Sequence, residues 1–296
     1  MTLTKGIILA GGNGSRLFPL TKGISKHLLP VYDKPMIYYP LSVLMKAGIK
    51  EILIISTPKD IPSYKNIFGD GTDLGLSIFY KPQTEPNGIA EAFIIGENFI
   101  NSNNICLILG DNIFYGKALD NLLISAKNNL LKDYSTIFSI QTENPNQFGV
   151  IRFSKKGDMI EIVEKPKENI GNRIVSGIYF YTNDVVKAAK KLKPSSRGEL
   201  EITDINNYYL NKSRLKCLNL DSSFFWSDTG TYDSLLKASK FFYNIELETS
   251  KKVSCIEEIA LEKFFIDKSK FEKVAKSMAS SDYGKYLLSK IKKIEK

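Results

Sequence analysis

Short apolar runs alternate with amphipathic stretches through residues 1–140, and that rhythm admits few architectures. Gly6 to Leu9 and "EILIIS", Glu51 to Ser56, are near-continuous runs of Ile and Leu. Runs so short suit strands covered on both faces. Between them Met36 to Ala47 has helical spacing and is closed by Gly48. The pattern recurs as a helix over Ile61 to Phe68, a strand "LSIFY" and a helix from Ile89 to Ile95. A strand from Ile105 to Leu109, a helix from Leu119 to Leu131 and the strand "STIFSI" complete it. The expectation is an α/β fold, a Rossmann-like, mostly parallel sheet flanked by helices.

Beyond Gln141 the texture changes. "FGVIRFSKKGDMIEIVEKP" alternates apolar and polar residues about a Lys-Gly-Asp turn, as an antiparallel hairpin does. "VSGIYFYT" reads as a buried strand, Asp184 to Leu192 and Glu201 to Leu210 as helices, and "LKCLNL" as a strand. From Tyr232 onward the chain reads as largely helical. With no Pro/Gly/Ser-rich linker and no internal repeat, the expectation is one catalytic unit over residues 1–245 and a helical region over residues 246–296. The unit divides into a nucleotide-type half, about 1–140, and an inserted mixed half, about 141–230.

At 296 residues, 43% hydrophobic and 25% charged, the chain can bury a core without staples. No apolar run approaches the roughly 20 residues that cross a bilayer, and the N-terminus lacks a signal-peptide pattern, so a cytoplasmic location is expected. Cys106, Cys217 and Cys255 are far apart and odd in number, which suggests core filling rather than disulfides or zinc. A single histidine, His27, argues against a His-based metal site. The net charge of +9 is concentrated partly in "YLLSKIKKIEK", a solvated helix face. A nucleic-acid partner has no matching motif, and no membrane partner is expected.

What remains is the break after the first strand, "AGGNGSR". In a parallel sheet ligands bind beyond the carboxyl ends of strands. Glycines there let backbone N–H groups approach an anion, and Arg16 and Lys26 add two cations. A tight turn with solvated cations is the alternative. From Gly12 the sequence reads Gly-Asn-Gly-Ser-Arg-Leu, without the third glycine of a dinucleotide fingerprint, and no Walker A run occurs. Asp111 follows "ICLILG" at the same edge, where it could hold a cation beside phosphate oxygens or merely cap a turn. Asp228, in "FFWSDTGT", has the same two readings. Glu164 and Lys165 could be a plain surface pair.

"GIILAGGNGSRLFPLTKGISKHLLPVYDKPMIYYPLSVLMKAGI" resembles the opening of the sugar-1-phosphate nucleotidylyltransferases, most closely those that use dTTP and glucose 1-phosphate. The resemblance continues through "LGDNIFYG", "EKP", "GELEITDIN" and "DTGT", and so spans nearly the whole chain. It implies formation of dTDP-glucose and pyrophosphate, with Mg²⁺ on Asp111 and Asp228. It implies a nucleotide site at Leu9, Gly11, Gly12, Gly14, Ser15, Arg16, Lys26, His27, Gln83, Gly88 and Asp111, with Gln83 and Gly88 reading the base. Arg16, Lys26, Asp111 and Lys165 carry the expected chemistry. The sugar phosphate is expected at Asn112, Gly149, Glu164, Lys165, Val175, Tyr179, Arg197 and Trp226. UTP, another hexose 1-phosphate or a non-catalytic sugar-nucleotide sensor are the alternatives. The resemblance also implies a homotetramer inhibited by a dTDP-sugar end product. Three departures stand out: Ser15 in place of Thr, His27 in place of Gln, and Phe148 in place of Tyr.

Overall fold

A computed structural model describes residues 3–12 and 14–294. The chain opens with β1 (Thr4–Ala10), the small pair β2 (Pro30–Val31) and β3 (Lys34–Pro35), and helix α1 (Tyr38–Lys46). Then come β4 (Glu51–Ser56), α2 (Ile61–Phe68), β5 (Ser77–Pro82), α3 (Glu91–Ile95) and α4 (Glu97–Ile100). The middle contributes β6 (Asn104–Leu109), β7 (Ile113–Tyr115), α5 (Leu119–Leu131), β8 (Ser135–Gln141), β9 (Gly149–Phe153), β10 (Met159–Glu164) and β11 (Arg173–Tyr181). The last part holds α6 (Val185–Ala189), α7 (Ile202–Asn211), β12 (Leu215–Asn219) and β13 (Phe225–Ser227). Four helices follow: α8 (Tyr232–Thr249), α9 (Ile256–Glu262), α10 (Lys268–Ser277) and α11 (Asp282–Ile294).

Strand β1 lies between β6 and β4 and is parallel to both, with Ile7 opposite Leu107 and Leu53. Side chains alternate across a strand, so Ile8 enters the cluster on one face and Ile7 the cluster on the other. Both are fully buried, which explains the unbroken apolar run. β5 extends the sheet parallel to β4. On the other side of β6 the sheet is mixed, because β11 runs antiparallel to both β6 and β8, and β12 pairs parallel with β8.

The hairpin expected about Lys-Gly-Asp is β9 with β10, where Gly149 faces Glu164. One nine-stranded sheet therefore runs through both the nucleotide-type and the mixed halves. Helices α9 and α11 pack Ile256, Ile259, Leu287 and Ile291 into the same core as Leu41 and Leu44 of α1.

Some boundaries shift from the sequence expectation. The helix expected from Met36 starts at Tyr38. The one expected from Ile89 starts at Glu91, because Ala90 N–H is bonded to Leu200 O at 3.2 Å and Gly88 turns the chain with φ +103°. Cys106 and Cys255 are buried, whereas Cys217 is only partly so. The pairs β2–β3 and β7–β13 were not expected; each is too short for periodicity to reveal.

Candidate active site

The end of β1 and the end of β6 are held together, since Gly110 N–H donates to Leu9 O at 2.9 Å. Gly12 and Gly14 then adopt φ +94° and +58°, a left-handed region that side chains disfavour. Gly14 O accepts from Leu17 N–H at 2.9 Å and from the Thr21 hydroxyl at 2.8 Å, which fixes the turn from outside. Leu17 is buried as its anchor, and Arg16 beside it is exposed. The Arg16 guanidinium lies against Gly230, where an added Cβ would fall 3.2 to 3.4 Å from its atoms. The glycine of "DTGT" thus makes room for a cation from the glycine loop.

The pair β7–β13 brings the acids together. Ile113 faces Ser227, which places Asp111 and Asn112, just before β7, beside Asp228, just after β13. Lys26 forms an ion pair with Asp111, both largely buried, and Asn112 Nδ2 donates to Asp111 Oδ1 at 2.9 Å. Burial works against the Asp111 anion, but the Lys26 ammonium and the hydrogen bonds outweigh it, so its carboxyl stays below the usual range. Asp228 is pushed up, first by burial and then by the charge of Asp111, with Gly230 N–H, Arg16 and Lys26 offsetting only part. Thr229, a β-branched residue at φ +39°, donates its hydroxyl to Asp111 O at 2.6 Å. A strained backbone so close to two acids marks a place where position matters more than local comfort. Only the "DTGT" motif hinted at Thr229 and Gly230, and sequence reasoning assigned neither.

On the far side, Gly149 lies against Glu164 and Thr203; an added Cβ would meet Thr203 Oγ1 at 2.9 Å. Thr203, which sequence reasoning missed, donates to Glu164 Oε2 at 2.6 Å. Burial raises the Glu164 carboxyl despite that bond. Lys165 has φ +43° and its ammonium is 4.0 Å from Glu164, still substantially exposed. Arg197 is gripped by Glu201 at 2.8 and 2.9 Å and reaches Glu164 at 3.5 Å. Glu201 was not singled out in the sequence. Tyr179 is buried, and its hydroxyl is held protonated by burial and by the charges of Glu164 and Asp111. Val175 is buried on the same strand.

Gln83, at the end of β5, has its Oε1 3.0 Å from where a Cβ on Gly11 would be. Its loop is clipped to the sugar side, because Leu200 N–H donates to Asn87 O at 2.7 Å while Leu200 O accepts from Ala90. A Cβ on Gly88 would fall 2.5 Å from Leu200 O.

Three of the expected site side chains turn polar atoms to protein partners. His27 is 1% exposed and turned inward, with Nδ1 3.2 Å from Ser25 Oγ and 3.4 Å from the Tyr64 hydroxyl. Burial, then Lys26, lowers its pKa to about 3, so the ring packs beneath the loop as a neutral group. Asn112 is buried, and its Oδ1 is taken by Gly177 N–H at 3.2 Å and Trp226 Nε1 at 2.8 Å. Asn112 is therefore a brace for Asp111. Trp226 spends its only donor on that brace and meets Phe148 edge to face at 5.4 Å.

Residues 5–244 match the nucleotidyl transferase family. The chain belongs to that family. A glucose-1-phosphate thymidylyltransferase of Neisseria meningitidis serogroup A is 49% identical over 98% of this chain and all of its own. One from Mycolicibacterium smegmatis is 47% identical over 96% of this chain and 98% of its own. A Bacillus anthracis crystal structure assigned as the same enzyme, with a sucrose, has a TM-score of 0.74 at 40% identity, covering 80% of this chain and 94% of that one. A UDP-glucose pyrophosphorylase complexed with UDP-glucose shares the fold, with a TM-score of 0.72 at 23% identity, covering 82% and 99%. The α/β expectation, with a mostly parallel sheet flanked by helices, is borne out, and so is the likeness to nucleotidylyltransferases.

Proposed function

We propose that this chain transfers a thymidylyl group from dTTP to α-D-glucose 1-phosphate, giving dTDP-glucose and pyrophosphate, as the names of its relatives suggest. The observation that carries this reading is the meeting of Arg16, Lys26, Asp111 and Asp228 at the carboxyl ends of β1 and β6. A triphosphate laid there meets backbone N–H groups of Gly11, Gly12, Gly14 and Ser15 and the Arg16 fork. Its base extends toward Gln83 and Gly88.

The sugar phosphate approaches from the other wall. Lys165 and Arg197 offset repulsion between two anions, and Glu164 accepts from sugar hydroxyls with Gly149 and Val175 beside it. A phosphate oxygen of the sugar attacks the α-phosphorus in line, and the bond to the pyrophosphate oxygen breaks. Arg16 steadies the charge that develops on the leaving group, so no covalent enzyme intermediate is needed.

Asp111 and Asp228 would hold Mg²⁺. They fit it: Asp228 is raised partly by the Asp111 charge, so two repelling carboxylates lie where a hard cation relieves both. No group of three or more metal-ligating side chains occurs among the described residues, which suits an ion that keeps water and phosphate oxygens as its other ligands. When bound, it supplies charge neutralisation at the phosphates.

The reading extends to a cytoplasmic homotetramer under feedback by a dTDP-sugar. No helix among the described residues is long and apolar enough to cross a membrane. Tyr232, Leu236, Tyr243 and Leu247 expose an apolar stripe along α8 that suits a subunit contact. A cavity of about 590 Å³ is lined by Lys46, Lys117, Lys252, Tyr115 and Cys255, outside the acidic site, and is large enough for an effector.

Release of pyrophosphate should be measured with each of four nucleoside triphosphates against several sugar 1-phosphates. Preference for dTTP with glucose 1-phosphate supports the reading; turnover confined to UTP, or none with any pair, overturns it.

A further inference from the structure

We infer that Glu91 sets which base this site accepts, by locking the side-chain amide of Gln83 in one orientation. The inference rests on the proposed role of Gln83 at the nucleotide base and deepens it.

A glutamine amide offers two N–H donors and one carbonyl acceptor, and it can present either end to a ligand. At Gln83 both donors are already spent. Nε2 donates to Glu91 Oε2 at 2.7 Å and to Gly88 O at 3.3 Å. Neither partner can donate in return, since one is a carboxylate and the other a backbone carbonyl. A flipped amide would set its oxygen against two acceptors, so the network permits one orientation.

Oε1 is what remains, and it lies on the Gly11 side, at the mouth of the glycine loop. The cleft therefore offers the base an acceptor. A pyrimidine with a protonated N3, such as thymine or uracil, supplies the matching donor. Cytosine carries a lone pair on its N3, and its donor sits instead on the 4-amino group, out of register with that acceptor.

Glu91 is itself fixed. Its Oε1 accepts from Asn87 Nδ2 at 2.8 Å, and Asn87 O accepts from Leu200 N–H at 2.7 Å. It stands in the first turn of α3, with Ala92 and Phe93 after it fully buried, so its backbone has little freedom. Glu91 is a positioning residue, acting through Gln83 and not by touching the nucleotide.

The test compares Glu91→Ala, Glu91→Gln and Gln83→Ala in steady-state assays with dTTP, dUTP and dCTP. Removing the carboxylate frees the amide to rotate. Glu91→Ala should raise KM for dTTP and dUTP about tenfold with kcat moved far less, and narrow the preference for dTTP over dCTP about tenfold. Glu91→Gln keeps an acceptor for Nε2 and should recover most of the loss.

An unchanged dTTP-to-dCTP ratio in Glu91→Ala overturns the inference when Gln83→Ala does alter dTTP binding. If Gln83→Ala leaves KM for dTTP unchanged, the placement of the base at Gln83 fails, and the role of Glu91 fails with it. A loss of kcat equal for all three nucleotides in Glu91→Ala would mark a structural role and also overturn it.

Discussion

Replacing Lys26 with Met tests whether the Asp111 charge depends on its partner. The two side chains are only 14% and 17% exposed, so their attraction is poorly screened. At an effective dielectric near 20, unit charges about 3.5 to 4 Å apart attract by roughly 4 to 5 kcal/mol. Part of that offsets desolvation, and stranding one partner of a buried pair typically costs about 3 to 5 kcal/mol. A loss of about 3 kcal/mol near neutral pH follows.

Its pH dependence carries the sharper test. In the native chain the lowered Asp111 carboxyl contributes stability that is present above its unfolded value and disappears as pH falls through the folded one. In Lys26→Met, burial is no longer outweighed, so the carboxyl rises above its unfolded value and protonation relieves the folded state. The variant's trend closes the gap to the native protein as pH falls toward about 4, by up to about 1.4 kcal/mol per pH unit, and the native trend adds to it only below that. Urea unfolding at fixed protomer concentration, at about pH 7.5 and about pH 5, reads it directly. A gap that stays constant or widens on acidification refutes the electrostatic reasoning. Adding Asp111→Asn to Lys26→Met should restore at least about half the lost stability, since a neutral pair strands no charge.

Two further substitutions test the site. Arg16→Ala should lower turnover about 10²- to 10³-fold with an unchanged circular dichroism spectrum, because its guanidinium is exposed and buried Leu17 holds the turn; near-native turnover would remove its role. Gly177→Ala puts a Cβ 2.6 Å from Asn112 Cγ inside the sheet, and should reduce stability by about 1 to 3 kcal/mol and displace the brace on Asp111. Activity and unfolding midpoint should fall together in that variant.

The sequence made the sheet legible wherever periodicity had room to act. The helices at Ile61–Phe68 and Leu119–Leu131 carry enough turns to show an apolar face, and both appear with the expected ends. The buried strands around β1 read as unbroken apolar runs. β7 and β13, three residues each, carry no period of their own, yet they set Asp111 beside Asp228. Residue type also conceals burial. A histidine next to a lysine after a glycine loop reads as a ligand group, and only packing shows that the His27 ring is held inside by Ser25 and Tyr64. The polar atoms of Asn112 and Trp226 are likewise engaged within the protein, Trp226 Nε1 on Asn112 Oδ1 and Asn112 Nδ2 on Asp111. Glu91, which one sequence position cannot distinguish from a solvated helix acid, becomes informative only through its bond to Gln83.

The backbone of Leu200 bonds to Asn87 on one side and to Ala90 on the other. Attempts to transplant base preference from a relative would have to graft residues 83–91 and 195–201 as one cassette. A swap of either segment alone that shifts its backbone separates a main-chain donor and a main-chain acceptor from their mates across this seam.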